Sequence, residues 1–244
     1  MKKIAVIPAR YAATRFPGKL MQLIDGRPVI LHTWQNTCYT GLFDEVLVAT
    51  DHPLIADLIA AHGGKAVITS SLHASGSDRI AEAIAYSDAD IIVNVQGDEP
   101  FVNKNNLSLL LEPFEQDENN EIQVSSLMHI LEQESSILNP NHVKVVTDNK
   151  DFALYFSRAA IPFIRDNASV KYYKHIGLYA YRKDTLMAFT KWPSGILENA
   201  EKLEQLRYLE NGIRIKMMRT NESTIGIDTP EDLEQARALF QQTL

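Results

Sequence analysis

The sequence predicts an α/β fold built on a mixed, mostly parallel sheet flanked by helices, and three observations carry that prediction. Short apolar runs rich in β-branched residues recur through the first half, at 4–7, 45–49, 66–68 and 91–95. Helical periodicity fills the intervals, at 29–39, 54–62 and 79–86. Strands that alternate with helices of about ten residues indicate βαβ units. The third observation is where the polar chemistry falls: the loops 8–19, 50–53, 69–79 and 96–100 all follow a predicted strand. In open parallel sheets ligands bind beyond the carboxyl ends of the strands.

The opening stretch IAVIPARYAATRFPGKL organises the rest. A four-residue apolar run is expected to stop at Pro8, after which Arg10, Arg15 and Lys19 follow with no acid before Asp25. A strand end with clustered cations and a glycine, Gly18, is a way to hold a polyphosphate. A solvated basic loop reads equally well from spacing, since neither the Gly-x-Gly-x-x-Gly fingerprint nor a Gly-Lys-Ser/Thr ending is present. Asp51 is placed to cap the next helix, with Pro53 in its first turn, and Gly63-Gly64 to end it. In 69–79, Ser75 to Ser77 offer donors and Arg79 a fixed cation, with Ser77 the expected helix cap. At 94–100, NVQGDEP sets Asp98 at the mouth of the sheet, where a hard cation such as Mg²⁺ takes one or two carboxylates plus substrate phosphates. Glu99, next to Pro100, reads as a turn residue.

The second half has another texture. A helix at 107–114 and strands at 122–130, 143–147 and 152–156 are expected, the last two as a hairpin around Asp148-Asn149-Lys150. This adds antiparallel strands to the sheet, a lobe without its own linker. The segment 157–182 carries Arg158, Arg165, Lys171, Lys174, His175 and Arg182 against Asp166. His175 fits a packed strand histidine, or with Arg158 and Lys174 a holder of an anion. Alternation puts His175, Gly177, Tyr179 and Tyr181 on one face. One helix is expected over 200–210, with Leu203, Leu206 and Leu209 as its buried stripe and Glu204 and Gln205 on the solvated side. Near the end, Thr229 is a good N-cap, Pro230 the first helical residue and Asp232 its box partner, with a helix to Phe240. Asp228 lies just outside the cap, where its carboxylate is available to a ligand.

Bulk properties narrow the function. The chain has 244 residues, a hydrophobic fraction of 45 % and a formal net charge of -7. The acidic balance argues against non-specific nucleic-acid binding and against docking on an anionic membrane. One cysteine, Cys38, allows no intrachain disulfide and reads as a buried small hydrophobe in a helix. The apolar run after Lys2 and Lys3 is too short for a signal-peptide core or a membrane span, which makes the cytoplasm the expected location.

Taken together, IPARYAATRFPGK, VATD, SGSDRIAEA, VNVQGDEP, HVKVV, ALYFSRAAIP, KHIGLYAYR, LEQLR and IDTPEDLE closely resemble the 3-deoxy-manno-octulosonate cytidylyltransferases, the CMP-Kdo synthetases. The match runs nearly end to end. LEQLR and the YFSR…HIGLYAY pairing separate this family from the wider sugar nucleotidyltransferases. The resemblance implies a single Rossmann-like nucleotidyltransferase domain: a nucleotide-binding part over 1–120, a smaller antiparallel sugar-binding and dimerisation lobe over 121–220, and a returning metal-ligand segment with the last helix over 221–244. It implies CTP, an eight-carbon sugar acid, Mg²⁺ and a homodimer. By motif, Ala9, Arg10, Arg15 and Lys19 fall on the nucleotide loop, and Ser75 and Arg79 on the second CTP-contacting loop. Asp98 and Asp228 fall on the metal ligands. Gln96, Arg158, His175, Tyr179, Glu204 and Gln205 fall in the sugar pocket. Lys19, Arg15, Asp98 and Asp228 are the implied catalytic set. Leu20, where the family usually has Pro, and the long segment 193–202 depart from the pattern. Kdo and its 8-amino analogue are not separated by these motifs.

Overall fold

A computed structural model describes residues 1–12, 16–166, 170–222 and 226–243. The elements run β1 (Lys3–Ala9), a 3₁₀ turn (Lys19–Met21), β2 (Leu23–Ile24), β3 (Arg27–Pro28), α1 (Val29–Tyr39), β4 (Glu45–Thr50), α2 (Pro53–Ala61), β5 (Lys65–Ile68), α3 (Gly76–Ala83), β6 (Ile91–Asn94) and α4 (Lys104–Glu115). Then come β7 (Val124–Leu131), α5 (Glu134–Leu138), β8 (Lys144–Thr147), β9 (Ala153–Ser157), β10 (Tyr172–Arg182), α6 (Lys183–Phe189), α7 (Ile196–Glu201), α8 (Leu206–Glu210), β11 (Ile215–Thr220) and α9 (Pro230–Thr243). They gather into two compact units, Met1–Leu107 with Thr224–Leu244, and Ser108–Ser223. No helix among the described residues is long and apolar enough to cross a membrane.

The first unit is the expected parallel sheet, in the order β6-β1-β4-β5. Its middle strand is apolar on both faces, with Ile4, Ala5, Val6 and Ile7 fully buried, as a strand covered by helices requires. Strand β1 does not stop at Pro8. It pairs with β4 as far as Ala9, whereas its pairing with β6 ends at Val6 and Asn94. Pro8 thus sits where one side of the strand is unpaired, the position at which a missing N–H is tolerated.

Two helix starts differ from expectation. The cap of α2 is His52, whose Nδ1 accepts from Leu54 N at 3.3 Å; Asp51 is used elsewhere. The cap of α3 is Ser75 rather than Ser77: its Oγ accepts from Asp78 N at 3.1 Å while Asp78 accepts from Ser75 N, a closed capping box. The start of α9 forms as expected, with Asp232 N donating to Thr229 Oγ1 and Thr229 N to Asp232 Oδ2. Cys38 is exposed rather than buried, because the inward face of α1 is taken by Val29, Ile30, Thr33 and Thr37.

In the second unit β7 lies between antiparallel β10 and parallel β11, and the hairpin β8–β9 joins through β10. The expected helix over 200–210 is broken in two. Lys202 takes a left-handed conformation (φ 54°) at the end of α7, and α8 begins only at Leu206. The break is held by an ion pair and by capping. Arg207 donates to both oxygens of Glu198, at 2.7 and 2.5 Å, and stacks over Phe189. Glu210 accepts from Leu197 N and Glu198 N, lying over Gly195, where any side chain would collide with its carboxylate. Gln205 is therefore buried, not on a solvated face.

Both partners of the Arg207–Glu198 pair are about nine-tenths covered, with side-chain exposures of 10 % and 12 %. Arg207→Gln leaves the Glu198 carboxylate covered and unmatched and should cost about 3 kcal/mol of stability. Urea unfolding checks this, and an unmoved midpoint would show that the pair does not hold the break.

Candidate active site

The loops at the carboxyl ends of β1 and β6 and the start of α3 enclose a cavity of about 230 Å³. Arg10, Lys19, Ser75, Arg79, Gln96 and Asp98 line it. Two close approaches shape its floor. A Cβ on Gly97 would lie 2.9 Å from the backbone oxygen of Pro8, so the turn after β6 can pass beneath the end of β1 only with glycine there. Gly18, at φ 68°, lets the chain turn into Lys19, and its N–H closes the loop on Tyr11 O at 3.3 Å. Ala9 is the buried last residue of β1 that delivers Arg10 to the rim.

Lys19 is the centre of charge. Its ammonium contacts Asp98 Oδ2 directly and donates to Asp228 Oδ1 at 2.9 Å. Asp228 is delivered by backbone rather than by chance: Ile227 N donates to Asp98 O at 2.9 Å, and Asp228 N to Asp232 Oδ2 at 3.0 Å. Burial works to lower the Lys19 pKa, but the Asp98 charge and the hydrogen bonds that the ammonium donates to both carboxylates overcome it, holding the ammonium above its ordinary range. Lys19 is thus a permanent cation, not a base.

Arg79 is 2 % exposed and fixed on both sides, donating to Thr69 Oγ1 at 2.6 Å and to Asp51 Oδ2 at 3.1 Å. Asp51 also accepts from Tyr11 N at 3.1 Å, so one carboxylate ties the first loop to the cation of the third. Motif reading gave Asp51 only a capping role; its place in VATD at a strand end was the available signal. Arg10 donates to His73 O at 2.5 Å across the rim. The Ser75 hydroxyl is engaged in the capping box, bonding Asp78 at 2.8 Å, so what Ser75 presents to the cavity is its place at a helix N-terminus. Gln96 donates to Asn94 Oδ1 at 3.3 Å. Arg15 lies outside the described residues.

The remaining expected residues belong to the second unit. His175 and Gln205 meet, with 3.5 Å between Nδ1 and Nε2, and the rings of His175 and Tyr179 lie 5.4 Å apart. Burial, helped by the Lys174 charge, lowers the His175 pKa to about 3, so the ring is neutral at ordinary pH. Burial likewise raises the Tyr179 phenol well above its usual range, with the neighbouring Tyr181 and the Glu204 charge adding to it. Glu204 is half-buried in the turn before α8. Arg158 is largely committed to backbone: it donates to the carbonyls of Glu201, Pro140 and Lys202, at 2.8, 3.1 and 3.4 Å. Glu201 in turn accepts from Ser157 Oγ and Arg158 N. Lys144, fully buried, donates to Asn139 O and Arg158 O. Arg158 therefore braces the segment that carries Glu204 and Gln205, a role that spacing did not reveal.

A parallel sheet with a cation-lined cavity at its carboxyl end, two aspartates converging on one ammonium, and no dinucleotide fingerprint defines an α/β nucleotidyltransferase. The cytidylyltransferase family model matches residues 4–215. The 3-deoxy-manno-octulosonate cytidylyltransferase of Flavobacterium johnsoniae is 55 % identical over 99 % of this chain and 99 % of its own. A structure of CMP:2-keto-3-deoxy-manno-octonic acid synthetase complexed with CTP is 40 % identical, covers all of both chains and superposes with a TM-score of 0.95. The 4-diphosphocytidyl-2C-methyl-D-erythritol synthase of Anaerococcus prevotii, 15 % identical over 98 % of this chain and 99 % of its own, shares the fold with a TM-score of 0.65. The chain belongs to the 3-deoxy-manno-octulosonate cytidylyltransferase family.

The depressed pKa of His175 makes stability pH-dependent. The folded value, about 3, lies below the ordinary 6.5, so between these values the unfolded chain binds the extra proton. The contribution is complete above pH 6.5 and is lost as pH falls toward 3, with a slope of up to about 1.4 kcal/mol per pH unit. In His175→Asn this part of the slope should vanish. Urea unfolding of both proteins from pH 4 to 6 measures it, and parallel curves would show that the folded ring accepts its proton without penalty.

Proposed function

We propose that this chain transfers CMP from CTP to the anomeric hydroxyl of 3-deoxy-D-manno-octulosonate, releasing pyrophosphate and forming CMP-Kdo for lipopolysaccharide assembly. The observation that carries the reading is the Lys19 ammonium held between Asp98 and Asp228 in a cavity that Arg10 and Arg79 also line. The CTP complex of the 40 % identical synthetase supports the nucleotide, and the names of the relatives support the sugar acid.

Joining the CMP of a triphosphate to the anomeric hydroxyl of a sugar acid brings two anions together, so charge neutralisation is the main task. Arg10, Lys19 and the fixed Arg79 supply positive charge to the triphosphate, and Lys19 to the pyrophosphate as it departs. Arg79 needs no rearrangement on nucleotide entry, because Asp51 and Thr69 already hold it. In the second unit, Arg158, His175, Tyr179, Glu204 and Gln205 hold the sugar acid. The neutral His175 acts there as a hydrogen-bonding group.

The donor set fits Mg²⁺. Asp98 and Asp228 both contact the Lys19 ammonium, so the two carboxylates lie close enough together to share a cation. Two carboxylates, completed by phosphate oxygens and water, are the usual Mg²⁺ arrangement at a nucleotide. When bound, the ion supplies Lewis-acid activation of the reacting oxygens.

Pyrophosphate release from CTP with Kdo, 8-amino-Kdo or a sialic acid tests the assignment; release with Kdo absent, or with another acid preferred, would overturn it. Lys19→Ala should lower kcat by roughly 10²–10³, the scale of one lost charge donor, and near-normal turnover would remove Lys19 from catalysis. Asp228→Asn should melt normally, because Thr229 still caps α9, yet lose Mg²⁺-dependent turnover. A collapsed melting temperature in that variant would make Asp228 structural instead.

A further inference from the structure

Strands β7 and β10 do not pair evenly. His175 lies opposite Met128 and Ile176 opposite Leu127, but the next pair is Tyr179 with Ser126, so Gly177 and Leu178 form a bulge. A bulge leaves backbone carbonyls without ladder partners. The side chain of Ser126, fully buried, fills that gap: its Oγ lies 3.1 Å from Ile176 O, 2.9 Å from Leu178 O and 3.1 Å from His175 Nε2.

One hydroxyl has one proton, and the two carbonyls only accept. Given to either carbonyl, that proton leaves Ser126 only a lone pair to offer His175. Nε2 must then carry the ring proton. Because the buried ring is neutral, Nδ1 is left as an acceptor, and what faces it is Nε2 of Gln205 at 3.5 Å. An amide flipped the other way would set two lone pairs against each other. The chain Leu178 O, Ser126 Oγ, His175, Gln205 thus fixes which end of the Gln205 amide donates inward and leaves its oxygen as the acceptor for a ligand hydroxyl.

We propose that Ser126 is a positioning residue of the sugar-acid site, holding the bulge that sets His175 beside Tyr179 and fixing the His175 tautomer that orients the Gln205 amide. This rests on the reading above, in which His175 and Gln205 contact the sugar acid. Ser126 touches no substrate; it acts through the imidazole.

The test pairs a tautomer measurement with separate Michaelis constants. Nitrogen–proton correlation spectra of ¹⁵N-histidine-labelled full-length chain, with His175→Asn to assign the ring, should show His175 protonated at Nε2. Ser126→Ala should shift the ring toward a mixture of tautomers. It should raise KM for Kdo by about 10-fold, the loss of roughly one oriented hydrogen bond, while KM for CTP stays within twofold. Ser126→Thr, which keeps the hydroxyl and suits a strand, should restore both readouts. A wild-type ring protonated at Nδ1 overturns the proposal even if Ser126→Ala does not fold. So does a variant whose Kdo constant is unmoved. A wild-type chain that releases no pyrophosphate with Kdo would sink the sugar-acid reading itself, a failure the tautomer spectrum cannot mimic.

Discussion

The rest of the active-site architecture depends on one arrangement of charge: an ammonium from the first loop clasped by carboxylates that arrive from the fourth strand's turn and from the far end of the chain. Two aspartates this near would repel if nothing lay between them, and burial alone would lower the pKa of the lysine. Together, the one ammonium offsets one of the two negative charges and screens the acids from each other. The backbone bond from Ile227 N to Asp98 O keeps the two acids in step, so the site is assembled by the sheet's connectivity before any substrate arrives. The same logic recurs at Arg79, where Asp51 neutralises a buried cation and steadies the Tyr11 end of the loop. In the first unit, acids hold bases in place around the cavity.

The second unit is organised differently. The residues proposed for the sugar acid sit at or beside two irregularities, the bulge in β10 and the break between α7 and α8, and polar groups help to hold each of them. Ser126 satisfies the first. Arg207, Glu198 and Glu210 stabilise the second, with Arg158 and Lys144 bracing the adjoining carbonyls.

What was legible in the sequence follows from what each feature depends on. The parallel sheet and its helices were, because burial on both faces writes itself into runs such as 4–7 and 91–95. The start of α9 was, because Thr229, Pro230 and Asp232 act within one turn. Capping at Ser75 instead of Ser77, and at His52 instead of Asp51, was not: neighbouring polar residues compete for the same role, and the winner is decided by what the loser can reach elsewhere. Asp51 had Arg79 and Tyr11 to hold. The break at Lys202 was hidden because Leu203, Leu206 and Leu209 mimic a stripe, while the forces that interrupt it come from Glu198 and Glu210, on either side of the break. Spacing singled out the first-loop cations, Arg79, Asp98 and Asp228, whereas it left His175, Glu204 and Gln205 with bland alternatives that only family resemblance set aside.

The close passage at Gly97 has a consequence for how such a pocket can diversify. With the carbonyl of Pro8 2.9 Å from any added carbon, the ground level of the cavity is closed to new side chains. Variation in what the pocket admits therefore falls to other lining positions such as Ala12, Leu20 and Ala74, where a residue can be exchanged without lifting the roof of one strand off the foundation of the next.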